Sequence, residues 1–131
     1  MKTLIVDDDF TSRLLLQECL KSYGPCHLAV NGKEAVEAVR TAQEEVEPFD
    51  LICLDIMMPE MDGQAALKEI RRMETAAGVA AADHAKIVMT TALADRVNVV
   101  EAVRGKSDCF LTKPIQKVKL LEALRKLALI T

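Results

Sequence analysis

Five short apolar runs alternate with longer segments of helical period from one end of the chain to the other. No other feature restricts the fold as much. The runs lie at 2–6 (KTLIV), 26–30, 49–54, 86–90 and 108–112. Their lengths suit strands, and their nearly unbroken apolar character suits strands buried on both faces. The second run, interrupted by His27, suits a sheet edge. Between the runs, apolar residues recur at helical spacing. Leu16, Cys19, Leu20 and Tyr23 share one helix face, and Gly24-Pro25 ends that helix. Asn31, with Glu34 three positions on, is the start of a capping box. The helix it opens carries Ala35, Val39, Ala42 and Val46 on one stripe. Leu67, Ile70 and Met73 mark a third helix, and residues 95–104 and 117–130 predict two more.

Strict alternation of strand and helix predicts an α/β fold, a parallel sheet with helices on both faces. Right-handed crossovers leave few topologies, and the flavodoxin-like strand order 2-1-3-4-5 with five helices is the expected one. A chain of 131 residues with no internal repeat and no linker is expected to form one domain, 1–131. Its aromatics are Phe10, Tyr23, Phe49 and Phe110, so the core must be aliphatic. The Ala-rich stretch at 76–85 is expected to be a loose loop. A net charge of −3 with no basic stripe speaks against nucleic-acid binding as the main activity. No apolar run approaches the roughly 20 residues needed to span a membrane. Cys19, Cys26, Cys53 and Cys109 form no CxxC pair and are expected to be small buried hydrophobes. Reduced cysteines and the lack of an export signal point to the cytoplasm. His27 and His84 have no ligand-like neighbours in sequence, which suits structural or solvated roles.

In an open α/β sheet, ligands bind beyond the carboxyl ends of the strands, where strand order reverses. The polar residues that follow each run are therefore the candidates. Run one is followed by Asp7, Asp8 and Asp9, and run three by Asp55. Run four ends at Thr90 and Thr91, and run five at Thr112, Lys113 and Pro114. With strands one and three adjacent, Asp7, Asp8 and Asp55 meet in one pocket. Carboxylates that close need a compensating cation or raised pKa values. A cluster of oxygens without cysteine or histidine selects Mg²⁺ or Mn²⁺ over zinc. A phosphoryl group in transfer spreads negative charge over its oxygens, and catalysis of the transfer is mainly positioning and charge neutralisation. The Lys113 ammonium and the Thr91 hydroxyl suit that task, and the Asp55 carboxylate is a nucleophile able to form an aspartyl-phosphate. Singly, each element has a plainer reading. Asp9 suits a helix N-cap, and Thr-Lys-Pro suits an ordinary turn.

Four blocks, VDDD at 6–9, LDIMMPEMDG at 54–63, TTA at 90–92 and LTKP at 111–114, resemble the signature blocks of response-regulator receivers. The resemblance covers essentially the whole chain. It implies that Asp55 is the phosphorylated aspartate and that Asp7 and Asp8 hold Mg²⁺, with Met57 lending its backbone carbonyl. It implies that Thr91 and Lys113 are the switch hydroxyl and the partner lysine, that Lys113-Pro114 is cis, and that Phe110 is the aromatic that turns inward on activation. The phosphoryl donor would be a sensor histidine kinase or a histidine phosphotransfer protein. Output to a downstream protein or dimer partner would pass through the segment from Asp95 to Arg104, the strand from Asp108 to Thr112 and the helix from Lys117 to Ile130. Val97, Val99, Val100 and Val103 give the first of these more apolar surface than one core stripe needs. Met57 and Leu93 would flank the path of attacking water, and neither can orient it, so hydrolysis is expected to be slow. Such a switch turns over no external substrate and is not an enzyme. A dehalogenase-type phosphohydrolase would need an aspartate at the position of Met57, and an EF-hand would need alternating ligands that neither acidic run has.

Overall fold

The computed structural model describes residues 1–92 and 107–131. The expected helix at 95–104 and Leu93 lie outside the described residues. Within them the order is β1 (Thr3–Val6), α1 (Phe10–Leu20), β2 (Cys26–Ala29), α2 (Gly32–Glu44), β3 (Leu51–Asp55), α3 (Gly63–Ala76), β4 (Lys86–Thr91), β5 (Cys109–Thr112) and α4 (Lys117–Lys126). Short 3₁₀ turns follow α1 at Lys21–Tyr23 and precede β4 at Ala81–Asp83. The strands form one sheet, all parallel, in the order β2-β1-β3-β4-β5. The flavodoxin-like strand order is therefore the one expected. Among the described residues the helices number four rather than five.

Burial follows the expected pattern across the sheet. Every residue of β1 and β3 is buried, while His27 and Leu28 of edge strand β2 are exposed. Successive side chains point to opposite faces of a strand. Leu4, Val6, Ile52, Leu54, Ile87 and Met89 thus pack beneath α2 and α3. Ile5, Cys53 and Val88 pack on the other side against Leu16 and Leu20 of α1 and Leu120 and Leu124 of α4. Most of these side chains are fully buried, each stabilising the fold by about 1.5–3 kcal/mol relative to exposure. The four cysteines are free, and Cys19 and Cys53 are buried as expected.

Three expectations change. The α2 stripe stops at Ala42, and Val46 is 83% exposed with φ +56°. The helix closes before it: Val46 N–H donates to Gln43 O and Glu47 N–H to Ala42 O, the paired bonds of a Schellman ending. The last helix ends at Lys126 rather than 130, closed the same way around Ala128. The Ala-rich stretch is not loose. Buried Glu74 accepts hydrogen bonds from the Ala85 N–H (2.7 Å) and Arg71 (2.8 Å), and His84 Nε2 lies 3.0 Å from Val79 O. Polar groups of the stretch and of α3 thereby satisfy one another, and the alanine content gave no sign of it.

Candidate functional site at the carboxyl rim of the sheet

The register sets the strand ends side by side. Val6 pairs with Leu54, Asp55 with Thr90 and Thr91 with Thr112, so the residues that follow emerge on one rim. Asp7 is completely buried, Asp55 is 4% exposed and Asp8 faces solvent. One carboxylate oxygen from each of the three lies within 4.8 Å of the others. The Lys113 Nζ reaches in from the end of β5 to 2.9 Å from Asp7 Oδ2 and 3.3 Å from Asp55 Oδ2. Burial, and then the charge of Asp7, pushes the Asp55 carboxyl up to about 6 against the opposing pull of Lys113. Burial disfavours the Lys113 ammonium, but contact with Asp7 and the charges of both aspartates outweigh it and hold its pKa above the ordinary lysine value.

The donor set fits a hard divalent cation. Three carboxylates face one ammonium, so the pocket keeps excess negative charge. Asp7 Oδ1 is occupied by the Asp9 N–H at 2.9 Å, while the fully buried Asp7 Oδ2 meets Lys113 as an ion pair without an aligned hydrogen bond. An all-oxygen set with this charge suits Mg²⁺, which is bound through one or two carboxylates and keeps several waters. It lacks the nitrogen and sulfur donors that select zinc.

The backbone around Asp55 is held closely. Ile56 N–H donates to Thr90 O, and Gly63 N–H returns to Ile56 O at 2.8 Å. A Cβ on Gly63 would sit 2.1 Å from the Asp55 carbonyl oxygen, so only glycine lets the loop pass behind the site. Asp62 caps the helix that follows, accepting from the Ala65 N–H at 2.9 Å. Thr91 is buried, its hydroxyl donates to Ala92 O at 3.1 Å, and its own carbonyl accepts from the Lys113 N–H at 2.7 Å. Lys113-Pro114 is cis, as expected.

The structure therefore gathers Asp7, Asp8, Asp55 and Lys113 into direct proximity. Thr91 stands on the neighbouring strand with its hydroxyl directed to backbone. Met57 and Phe110 lie at the periphery, 56% and 41% exposed. Asp9 is the N-cap it was expected to be, accepting from Ser12 N–H and Ser12 Oγ. Sequence reasoning did not anticipate Arg13, which donates to the Asp7 carbonyl at 2.7 Å and braces the acidic turn. Thr90, named with Thr91 as a strand-end candidate, has its hydroxyl buried without a hydrogen bond opposite Asp55.

Among the described residues no helix is long and apolar enough to cross a membrane. The model of the response regulator receiver domain matches residues 3–125. The chemotaxis protein CheY of Thermotoga maritima is 34% identical over 129 residues, covering 97% of each chain. A solved CheX–CheY complex from Borrelia burgdorferi, with beryllofluoride and Mg²⁺, superposes with a TM-score of 0.82 at 26% identity, covering 98% of this chain and 89% of that one. The receiver domain of the Arabidopsis thaliana histidine kinase CKI1, solved with Mg²⁺, gives a TM-score of 0.79 at 30% identity, covering 96% and 90%. With its strand order, its acidic rim and a family match over nearly its whole length, the chain belongs to the response regulator receiver domains, the phosphoacceptor switches of two-component signalling.

Proposed function

We propose that Asp55 is the phosphoacceptor of this switch and that a histidine kinase or a histidine phosphotransfer protein is its donor. The observation that supports this is the placement of one buried carboxylate, at the end of the central strand β3, beside an ammonium and two further carboxylates. An Asp55 oxygen bonds to phosphorus as the donor's N–P bond breaks, and the imidazole nitrogen leaves with the electron pair and takes up a proton. Lys113, already 3.3 Å from Asp55 Oδ2, is placed to neutralise one phosphoryl oxygen. The Thr91 hydroxyl would leave the Ala92 carbonyl to donate to another. Mg²⁺, or Mn²⁺ on the same oxygens, held by Asp7, Asp8, Asp55 and the Met57 carbonyl, would supply further positive charge where the phosphoryl group sits.

The reaction stops at the protein's own aspartate, so the domain acts as a switch and not as an enzyme on external substrate. Movement of the Thr91 hydroxyl and the exposed Phe110 ring would bias the output face. In this reading that face comprises 95–104, β5 and the helix from Lys117, it meets a downstream protein or a second copy, and the whole chain 1–131 works as one domain in the cytoplasm. The test is phosphorylation with acetyl phosphate and Mg²⁺, read by intact-protein mass spectrometry. Wild type should gain one phosphoryl group and Asp55→Asn none. Equal labelling of the two would overturn the assignment.

A further inference from the structure

A second concavity lies at the opposite pole of the sheet, and nothing in the phosphoryl chemistry uses it. It is a cavity of about 140 Å³ beneath α2 and α3, walled by Val39, Phe49, Ile52, Val79 and Ala85. That is close to the size of an apolar cavity known to hold one benzene ring, about 150 Å³. Its outer wall is the Ala-rich stretch between α3 and β4, the segment for which the sequence offered no function. Ile52 is three residues before Asp55 on β3, so the cavity and the phosphoacceptor are separated by about 10 Å along the strand.

The charged side chains that line this cavity, Glu74 and Asp83, are both acidic. Glu74 is 6% exposed, with Arg71 at 2.8 Å and His84 Nδ1 at 3.7 Å. Arg71 also pairs with Asp108 at 2.9 Å, so one guanidinium serves two carboxylates. No described residue pairs with the carboxylate of exposed Asp83. Of the chain from Gln43 to Phe49, only Gln43, Pro48 and Phe49 line the cavity, and Glu44, Glu45 and Glu47 are exposed beside them in sequence. Lys2, a cation on the Phe49 side, is engaged by the Glu47 carbonyl and the Phe49 ring. The carboxyl ends of α2 and α3, the negative ends of their dipoles, point to the same pole.

We infer that this cavity is a binding site for a small organic cation, a primary ammonium or amidinium on an apolar body about the size of one ring. The body would fill the space among Val39, Phe49, Ile52 and Val79. The charged head would lie at the mouth toward Asp83. The site does not depend on the phosphoryl reading, since it shares no residue with the rim.

The test is a set of isosteric probes, benzylamine, benzyl alcohol and benzoate, titrated into the full ¹⁵N,¹³C-methyl-labelled chain without Mg²⁺ or phosphodonor. Benzylamine should shift the resonances of Val39, Ile52 and Val79 and bind at least tenfold tighter than benzoate, with the alcohol between them. Asp83→Asn, a change at an exposed position, should weaken benzylamine by roughly two- to fivefold and leave the alcohol unchanged. Val79→Phe should fill the cavity and abolish binding of all three. The inference is overturned if benzylamine shifts none of these residues at millimolar concentration, if benzoate binds as well, or if Asp83→Asn leaves the order of the three probes and the benzylamine affinity unchanged.

Discussion

Above about pH 6 the Asp55 carboxyl gives up its proton in the metal-free rim, beside Asp7, Asp8 and the ammonium of Lys113. The Asp55 carboxyl has an ordinary value of 3.8 and is raised to about 6 in the fold, chiefly by burial and then by Asp7. Between those values the folded chain binds more protons than the unfolded one. This group's contribution to stability is therefore fully present below 3.8 and is lost as pH rises through about 6. At about 1.4 kcal/mol per pKa unit the cost reaches at most about 3 kcal/mol at neutral pH. In chelator, Asp55→Asn should thus be more stable than wild type at pH 7 and should lose that advantage near pH 4. Urea unfolding at the two pH values reads this, and equal midpoints at pH 7 would refute it. Asp7, Asp55 and Lys113 were legible as strand-end residues. The charge state of Asp55 was not, because it depends on neighbours delivered by other strands.

At the scale of elements, α2, α3 and α4 all close with the same pair of hydrogen bonds, around Val46, Gly78 and Ala128. Each of these has positive φ, near +56°, +76° and +60°, but only Gly78 adopts it without a steric penalty. A β-branched residue there is the most strained. Val46 is 83% exposed, so its side chain contributes little by burial. Val46→Gly should therefore stabilise the fold by about 1 kcal/mol, net of the added freedom of the unfolded chain. A rise in the thermal midpoint with unchanged phosphorylation is the expected result, and a fall would show that Val46 is not strained. Apolar spacing placed Val46 on the α2 stripe because periodicity does not register where a helix must stop. The chain has to turn there to reach Pro48 and Phe49 and enter β3, and that turn ends the helix. The capping box was legible only in part. Asn31 accepts from Glu34 N–H at 2.8 Å, but the Glu34 side chain reaches the Val30 N–H, one residue before the cap.

At the scale of the whole molecule, a ligand that binds the rim of the folded chain stabilises the entire fold by linkage. Mg²⁺ at ten times its dissociation constant should add about 1.4 kcal/mol, which for a domain of this size raises the thermal midpoint by about 3–6 °C. Asp8→Ala, at an exposed position, should abolish most of that rise while folding normally without the metal. A rise of the same size in both proteins would mean that the ion binds elsewhere. The sequence by itself determined the strand order and the residues of the rim. Buried parallel strands need unbroken apolar runs, helices need their own period, and right-handed crossovers leave little choice of how the two alternate. Those are local patterns, and the residue after each run had to emerge at the same edge. Only the tertiary structure decided that the Thr91 hydroxyl turns to Ala92, that Glu74 and Arg71 fasten the Ala-rich stretch, and that a cavity opens beneath α2 and α3. A periodic pattern records which face a side chain takes. It does not record how near that side chain comes to one that is distant in sequence, and bond direction, charge state and empty volume all follow from that distance.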